Sequence, residues 1–296
     1  MKENKFKGLG IALITPFKSD GSVDYDAMLS LVDYQLKSKV DFLCILGTTS
    51  ESPCLTREEK QTIKERIVRH VRGRVPLLMG CGGNCTAAVV EEIRSTDWTG
   101  IDGILSVCPM YNKPTQEGLY QHFRAIAEAS PLPIVLYNVP GRTGVNLTSD
   151  TTLRLAHDFP NVVAIKEASG NLPQIKEILE KKPQGFDVLS GDDSLTPAIV
   201  SAGGVGVISV VGNAIPYEFG RMVHLSLEGR IAEAKLIHDD LFELYGLMFF
   251  EGNPAGVKSA LHSLGRIENV LRLPLVPVSA STGQRIAEII QNLPVR

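Results

Sequence analysis

The chain has 296 residues, of which 44% are hydrophobic and 21% charged, a balance typical of a globular protein that buries a large core. Its net charge is −3, with acids and bases mixed along the sequence, which argues against nucleic acid or an anionic membrane as the main partner. No apolar run approaches the roughly 18 residues of a membrane-spanning helix, and the first seven residues lack the apolar region of a signal peptide. We therefore expect a cytoplasmic protein.

Eight short apolar runs, rich in Val, Ile and Leu, recur at intervals of roughly 30 residues, the length of one βαβ unit. They occupy residues 9–15, 41–47, 75–80, 103–107, 134–138, 162–166, 187–190 and 205–210. Most are too continuous to be strands with one exposed face, and such runs are typical of a parallel sheet covered on both sides. Segments with helical spacing lie between them, including residues 57–71, 115–129 and 171–181.

This alternation predicts an α/β fold, a (β/α)8 TIM barrel, rather than an open sheet. Thr56 and Glu59 have the spacing of a capping box at the start of one helix. After the eighth run the sequence shows helical segments only, and Asn253-Pro254 has the pattern of a helix cap followed by a proline. We expect residues 1–215 to form the barrel core and residues 216–296 a helical segment packed on the barrel.

The sixth run ends in Lys166, followed by Glu167, and the active sites of such barrels lie at the C-terminal ends of the strands. A lysine at the end of a buried strand is costly unless it is paired, because burial disfavours the charged ammonium form. The free amine that results can attack a ketone and form an imine. From this pattern alone, a lysine paired with Glu167 or another carboxylate at the rim explains the sequence equally well.

The fifth run ends in Tyr137, beside the sixth strand. A phenol within hydrogen-bond reach of the amine can carry the proton transfers of imine formation, although a tyrosine at a strand end more often packs and makes one hydrogen bond. Arg142 follows in a turn. There its guanidinium can bind a carboxylate through two parallel hydrogen bonds, or remain a solvated loop charge.

Small polar residues follow the second and seventh runs. Thr48 and Thr49 come after a glycine, where hydroxyls and free backbone N–H groups suit a carboxylate, although an ordinary turn has the same composition. The seventh run ends beside Gly191. The six histidines and five cysteines show no ligand spacing and no dinucleotide fingerprint is present, so we expect no metal, no cofactor and no disulfide framework.

The motifs at these strand ends occur in one order over nearly the whole chain. They read GTTSES at residues 47–52, YNKPTQEGLYQHF at 111–123, YNVPGRTG at 137–144, IKEASGN at 165–171 and SGDD at 190–193. The ordered set resembles the dihydrodipicolinate synthase family, also called 4-hydroxy-tetrahydrodipicolinate synthases, within the N-acetylneuraminate lyase superfamily. The resemblance implies a lyase that condenses pyruvate with L-aspartate 4-semialdehyde, on the diaminopimelate route to lysine.

The resemblance also implies the roles of the catalytic residues. Lys166 would form the imine with pyruvate, and Tyr137 would shuttle protons through Thr48 to Tyr111. In the family this last tyrosine reaches in from a neighbouring subunit. We therefore expect a homotetramer, arranged as a dimer of dimers, and a monomer that is nearly inactive.

Substrate binding is implied in the same way. Thr49 and its adjacent amides would hold the pyruvate carboxylate, with the Ile208 carbonyl and Gly191 lining the pocket. Arg142 would bind the carboxylate of the semialdehyde. Related sugar-acid lyases usually lack an arginine at this position, so Arg142 indicates the short amino-acid acceptor.

Several residues depart from the family pattern. Ser50 stands where many members have glycine, and Gly256 replaces a usual proline. In relatives that lysine inhibits, the interface pocket carries a glutamate, two histidines and a tyrosine. The residues at those four positions here are Ala88, Arg57, Lys60 and Met110. Because the acid is missing and two basic residues would repel the lysine amine, we expect weak feedback inhibition or none.

Two other functions share part of this pattern. A pyruvate aldolase acting on a keto-deoxy sugar acid or N-acetylneuraminate would also use Lys166 and Tyr137, and only Arg142, Tyr111 and the acceptor pocket separate it from the first interpretation. A non-catalytic sensor of a small carboxylate on the same barrel would not need both the amine and the phenol.

Overall fold

The computed structural model describes residues 4–293, in which eight parallel strands close into a barrel in chain order. They are β1 (Gly8–Ala12), β2 (Phe42–Ile45), β3 (Leu77–Gly80), β4 (Gly103–Val107), β5 (Ile134–Asn138), β6 (Val162–Glu167), β7 (Asp187–Ser190) and β8 (Gly206–Ser209). β1 pairs with both β2 and β8, which closes the ring. The predicted (β/α)8 barrel is confirmed.

Helices alternate with these strands and continue after the last one. They are α1 (Tyr25–Lys37), α2 (Arg57–Val71), α3 (Thr86–Ser95), α4 (Gln116–Ala129), α5 (Pro140–Thr143), α6 (Ser149–Asp158), α7 (Leu172–Lys181), α8 (Thr196–Ser201), α9 (Pro216–Leu227), α10 (Ile231–Phe250), α11 (Ala255–Ser263) and α12 (Ala280–Gln291). Within residues 4–293, none of them is long and apolar enough to cross a membrane.

Local signals set several of these boundaries. The predicted capping box is present, since the Thr56 hydroxyl accepts from the Glu59 N–H and the Glu59 carboxylate accepts from the Thr56 N–H. Thr115 and Asn171 lie just before α4 and α7 and cap them through their side chains. The first two apolar runs extend beyond β1 and β2, because buried side chains such as Leu13 and Leu46 continue into the turns at the barrel mouth.

Apolar side chains fill the barrel interior in layers. The cluster includes Ala12, Cys44, Leu105, Val135, Ala164, Leu189 and Ile208. Side chains on one face of a strand recur at every second residue, so Tyr137 and Lys166 lie one layer nearer the C-terminal mouth than Val135 and Ala164. The barrel core therefore supports these two side chains from below.

The helices after β8 share the main apolar core with the barrel. Leu9 and Ile11 of β1 belong to one cluster with Met248 of α10, Val257 of α11 and Ile286 of α12. Burial of such side chains is worth about 1.5–3 kcal/mol each. The helical segment is thus packed on the barrel wall.

The predicted helix cap at Asn253 is wrong. α11 begins at Ala255 with Pro254 as the preceding residue, and no side chain caps it. The Asn253 side chain instead donates from Nδ2 to Thr49 Oγ1 at 3.0 Å. The atom that would accept a capping N–H, Asn253 Oδ1, has no hydrogen-bond partner among the described residues.

Gly256 lies where α11 meets the end of α10. A Cβ added at this position would be 2.6 Å from the Met248 carbonyl oxygen and 2.8 Å from that of Leu247. Both atoms belong to helix backbone, which cannot rotate away as a flexible side chain does. The glycine that replaces the usual proline thus allows the two helices to approach closely.

We expect Gly256→Ala to lower the free energy of unfolding by about 1–3 kcal/mol, because the added methyl group overpacks this contact. Gly246→Ala is the matched control, since Gly246 lies in α10 with no atom within 4 Å of an added Cβ. That substitution should leave stability unchanged or raise it by up to about 1 kcal/mol. Thermal unfolding of both variants tests the contact, and equal melting temperatures would contradict it.

Candidate active site

A lysine and a tyrosine lie side by side at the C-terminal mouth of the barrel. β5 and β6 pair so that Tyr137 is opposite Lys166, and both side chains face the interior. Lys166 Nζ is 4.3 Å from the centroid of the Tyr137 ring. The exposed fractions are 5% for Lys166 and 6% for Tyr137, so both side chains are largely screened from water.

Glu167 points to the opposite face of β6, because successive side chains of a strand alternate. Its carboxylate accepts short hydrogen bonds from Asn138 Nδ2 and Ser169 Oγ. Burial raises the pKa of Glu167 to about 7, while these hydrogen bonds lower it. The ion pairs formed by residues 4–293 include none between Lys166 and a carboxylate. Lys166 is therefore not paired with Glu167.

The neighbouring strands form the walls of the pocket around Lys166. The Gly191 N–H donates to the Glu167 carbonyl at 2.7 Å, and a Cβ at Gly191 would lie only 3.0 Å from Lys166 Cε. Burial raises the pKa of the nearby Cys44 thiol to about 11, although the charge of Lys166 lowers it. Ile208 on β8 belongs to the interior cluster. A side chain larger than glycine at position 191 would press on the amine.

The turn after β2 is anchored on two sides. Thr48–Ser50 form a short 3-10 turn, and the buried Thr49 hydroxyl accepts from Asn253 Nδ2. Ser50, which replaces the usual glycine, donates from Oγ to the Leu13 carbonyl at 2.7 Å. The hydroxyl of Ser50 therefore ties the turn to the segment after β1.

Arg142 lies in the short helix α5 and is exposed to solvent. Its Nη2 donates to the Asn253 carbonyl at a long 3.4 Å. Most of the guanidinium therefore remains free to bind a carboxylate.

Asn253 is the residue of this mouth that sequence reasoning missed as a site member. Its side chain contacts Thr49 and its carbonyl oxygen contacts Arg142, so one residue joins the two implied carboxylate-binding groups. The sequence signal that could have placed Asn253 in the site is its position in a segment that matches the family. The local pattern of asparagine before proline instead favoured a helix cap.

Tyr111 lies apart from the buried pair. Its side chain is 86% exposed, its backbone has φ 75°, and its N–H donates to the Thr143 carbonyl at 3.4 Å. Among the hydrogen bonds of the described residues, none joins Tyr137, Thr48 and Tyr111. A single chain thus brings Lys166 and Tyr137 together but leaves Tyr111 pointing to solvent.

Comparison with known proteins identifies the family to which this barrel belongs. The model of the dihydrodipicolinate synthetase family matches residues 5–293. The chain belongs to this family. The resemblance that the motifs indicated is confirmed, and the matched region includes every strand and each of the candidate residues.

Individual members of the dihydrodipicolinate synthetase family align over almost their full lengths. The 4-hydroxy-tetrahydrodipicolinate synthase of Phocaeicola vulgatus is 57% identical over 296 residues, covering all of both chains. The crystal structure of dihydrodipicolinate synthase from Aquifex aeolicus is 41% identical with a TM-score of 0.93, and covers 98% of this chain and 100% of that one. A monomeric dihydrodipicolinate synthase variant is 42% identical with a TM-score of 0.94, and covers 97% and 96%.

Proposed function

We propose that this chain condenses pyruvate with L-aspartate 4-semialdehyde through an imine on Lys166, giving 4-hydroxy-tetrahydrodipicolinate for diaminopimelate and lysine biosynthesis. The overall reaction follows from family membership and from the name shared by its full-length relatives. Imine formation is supported by the buried amine of Lys166, which has no carboxylate partner among the described residues and lies 4.3 Å from the centroid of the Tyr137 ring. We expect this biosynthetic reaction to run in the cytoplasm.

The covalent steps require one nucleophilic amine from the chain and one from the semialdehyde. The neutral Lys166 amine attacks C2 of pyruvate, and the carbinolamine loses water to give an imine. Loss of a proton from C3 gives an enamine, whose C3 forms a bond to the aldehyde carbon of the semialdehyde. The amino group of the semialdehyde then attacks C2 and displaces Lys166, which closes the ring and returns the free amine.

Tyr137 is the proton carrier of this scheme, because its phenol lies beside the amine and a positioned acid or base contributes about 10²–10⁴-fold. Thr48 and Tyr111 would extend the path toward solvent. Thr49 and its neighbouring amides would hold the pyruvate carboxylate against the wall formed by Gly191 and the Ile208 carbonyl. The Thr49 hydroxyl already accepts from Asn253, which fixes its orientation.

We propose a homotetramer, a dimer of dimers, in which Tyr111 enters the site of a neighbouring subunit. Tyr111 is accessible to a neighbouring subunit, and tyrosine is enriched at protein–protein interfaces. One solved relative is a monomeric variant, so the number of subunits has to be measured for this chain. Light scattering of the purified protein, with Tyr111→Phe assayed in parallel, tests the proposal.

The proposed reaction is tested by the pyruvate-dependent consumption of aspartate semialdehyde, coupled to the reductase that uses the product. Turnover that requires both substrates supports the condensation. If the semialdehyde is not consumed but borohydride still attaches pyruvate to Lys166, the acceptor is a sugar acid instead. A chain that borohydride and pyruvate leave unmodified would indicate a carboxylate sensor.

We expect free lysine to inhibit this reaction weakly or not at all. Ala88 on α3 carries no acid to bind the lysine amine, and Arg57 and Lys60 on α2 are basic residues that would repel it. The measurement is a titration with millimolar lysine at saturating substrates, with an equal concentration of potassium chloride as the ionic-strength control. A rate halved by lysine but not by the salt would contradict the expectation.

A further inference from the structure

A fully buried ion pair lies directly behind the turn that follows β2. Glu51 Oε1 is 2.5 Å from Lys258 Nζ, and both side chains have an exposed fraction of 0%. Glu51 immediately follows the Thr48–Ser50 turn, whereas Lys258 lies on α11. The pair thus connects the strand-two turn with a helix more than 200 residues away in sequence.

Stability alone does not explain this pair. Removing two charges from water costs several kcal/mol per ion, and replacing such a pair by apolar residues is often neutral or stabilising. Burial lowers the pKa of Lys258 to about 8, while the charge of Glu51 opposes that shift. The burial of two charges at this position therefore calls for a reason other than stability.

The other contacts of the pair fix its position. Lys258 Nζ also donates to the Val270 carbonyl at 2.9 Å and lies 4.1 Å from the centroid of the Phe17 ring. Glu51 Oε2 accepts from the Arg272 N–H at 3.0 Å. The Glu51 carboxylate is consequently held by two separate groups from the C-terminal part of the chain.

The backbone conformation of Glu51 also indicates that its side chain has a role. Its φ of 54° and ψ of 34° lie in the left-handed region, which costs a residue other than glycine roughly 1–2 kcal/mol. The residue joins the 3-10 turns Thr48–Ser50 and Ser52–Cys54. A glycine would adopt this conformation without strain, so the carboxylate side chain is retained despite a conformational cost.

We propose that Glu51 and Lys258 are a positioning pair, which holds the Thr48–Ser50 turn in the geometry that binds the pyruvate carboxylate. This inference rests on the proposed function of the turn. Neither side chain is exposed to solvent, so the pair would act through the turn and not by touching the substrate. Releasing the pair lets the Thr49 hydroxyl and its adjacent amides shift, and a misplacement of about 1 Å costs on the order of 10²-fold in rate.

The test compares the double variant Glu51→Gln/Lys258→Met with the parent chain. Three quantities are measured: the melting temperature, kcat/KM for each substrate, and the rate at which borohydride traps pyruvate on Lys166. We expect the double variant to fold with a melting temperature close to that of the parent, because a neutral pair of similar volume replaces the charges. Its kcat/KM for pyruvate and its trapping rate should fall at least about tenfold.

Two further variants keep the test decisive. Glu51→Asp keeps the charge but shortens the side chain by one methylene, so Lys258 is not left with an uncompensated charge, and it should still lose kcat/KM for pyruvate if the double variant does not fold. Lys64→Met is the matched control, since Lys64 is buried on α2 and its Nζ donates to the Asp97 carbonyl at 2.6 Å. It removes a buried lysine elsewhere, so it should leave kcat/KM for pyruvate unchanged even if stability falls.

The outcomes separate the two proposals. Folded Glu51 and Lys258 variants that trap and turn over pyruvate at the parental rate would overturn the positioning role and leave the imine mechanism intact. A parent chain in which pyruvate is never trapped would overturn the proposed function instead. An equal loss in the Lys64 control would also overturn the positioning role, because it would show a general effect of lower stability.

Discussion

Lys166→Ala is expected to abolish the condensation, with a loss of at least about 10³-fold in kcat. The reason is chemical, since no other described amine lies beside the Tyr137 ring and the imine cannot form without one. The coupled assay gives the rate, and borohydride with pyruvate gives the mass of the trapped adduct. The parent should gain the mass of a reduced pyruvyl group on Lys166, whereas the variant should gain none.

Lys166→Arg is the matched control for this substitution. Arginine keeps a positive charge at the same position but remains protonated and does not act as a nucleophile. If Lys166 only attracted the pyruvate carboxylate electrostatically, the arginine variant would retain much of the activity. We expect it to be as inactive as the alanine variant, and turnover within about tenfold of the parent in either one would contradict the imine mechanism.

The sequence was informative wherever a structural feature depends on neighbouring residues. The capping box of Thr56 and Glu59 closes within one helical turn, and the continuous apolar runs reflect strands that are buried on both faces. The pairing of Lys166 with Tyr137 was also accessible, because adjacent parallel strands end at the same edge of a barrel. These features require no knowledge of distant contacts.

The sequence was misleading where a distant contact determines the conformation. Asn253 has a local pattern that favours a cap, but no side chain caps α11, and the Asn253 Nδ2 donates to the Thr49 hydroxyl, 204 positions away. The partnership of Glu51 with Lys258 joins residues just as remote, and no periodicity reveals it.

The second large expected effect is that of removing the exposed guanidinium of Arg142. Arg142→Ala should lower kcat/KM for aspartate semialdehyde by about 10–10²-fold, since hydrogen bonds to a charged group contribute about 1.5–3 kcal/mol and 1.4 kcal/mol corresponds to tenfold. Within residues 4–293 the guanidinium of the parent makes a single long hydrogen bond, to the Asn253 carbonyl, so the substitution should cost the free enzyme little stability. The trapping of pyruvate on Lys166 should proceed at the parental rate.

Arg142→Lys distinguishes charge from geometry at this position. Lysine keeps the positive charge but cannot form two parallel hydrogen bonds to a carboxylate, so its loss of kcat/KM for the semialdehyde should fall between those of the parent and the alanine variant. Slower pyruvate trapping in either variant would place Arg142 at the pyruvate site, because the two half-reactions would then share it. Unchanged kinetics with the semialdehyde would remove Arg142 from acceptor recognition, and a sugar acid would become the acceptor to test next.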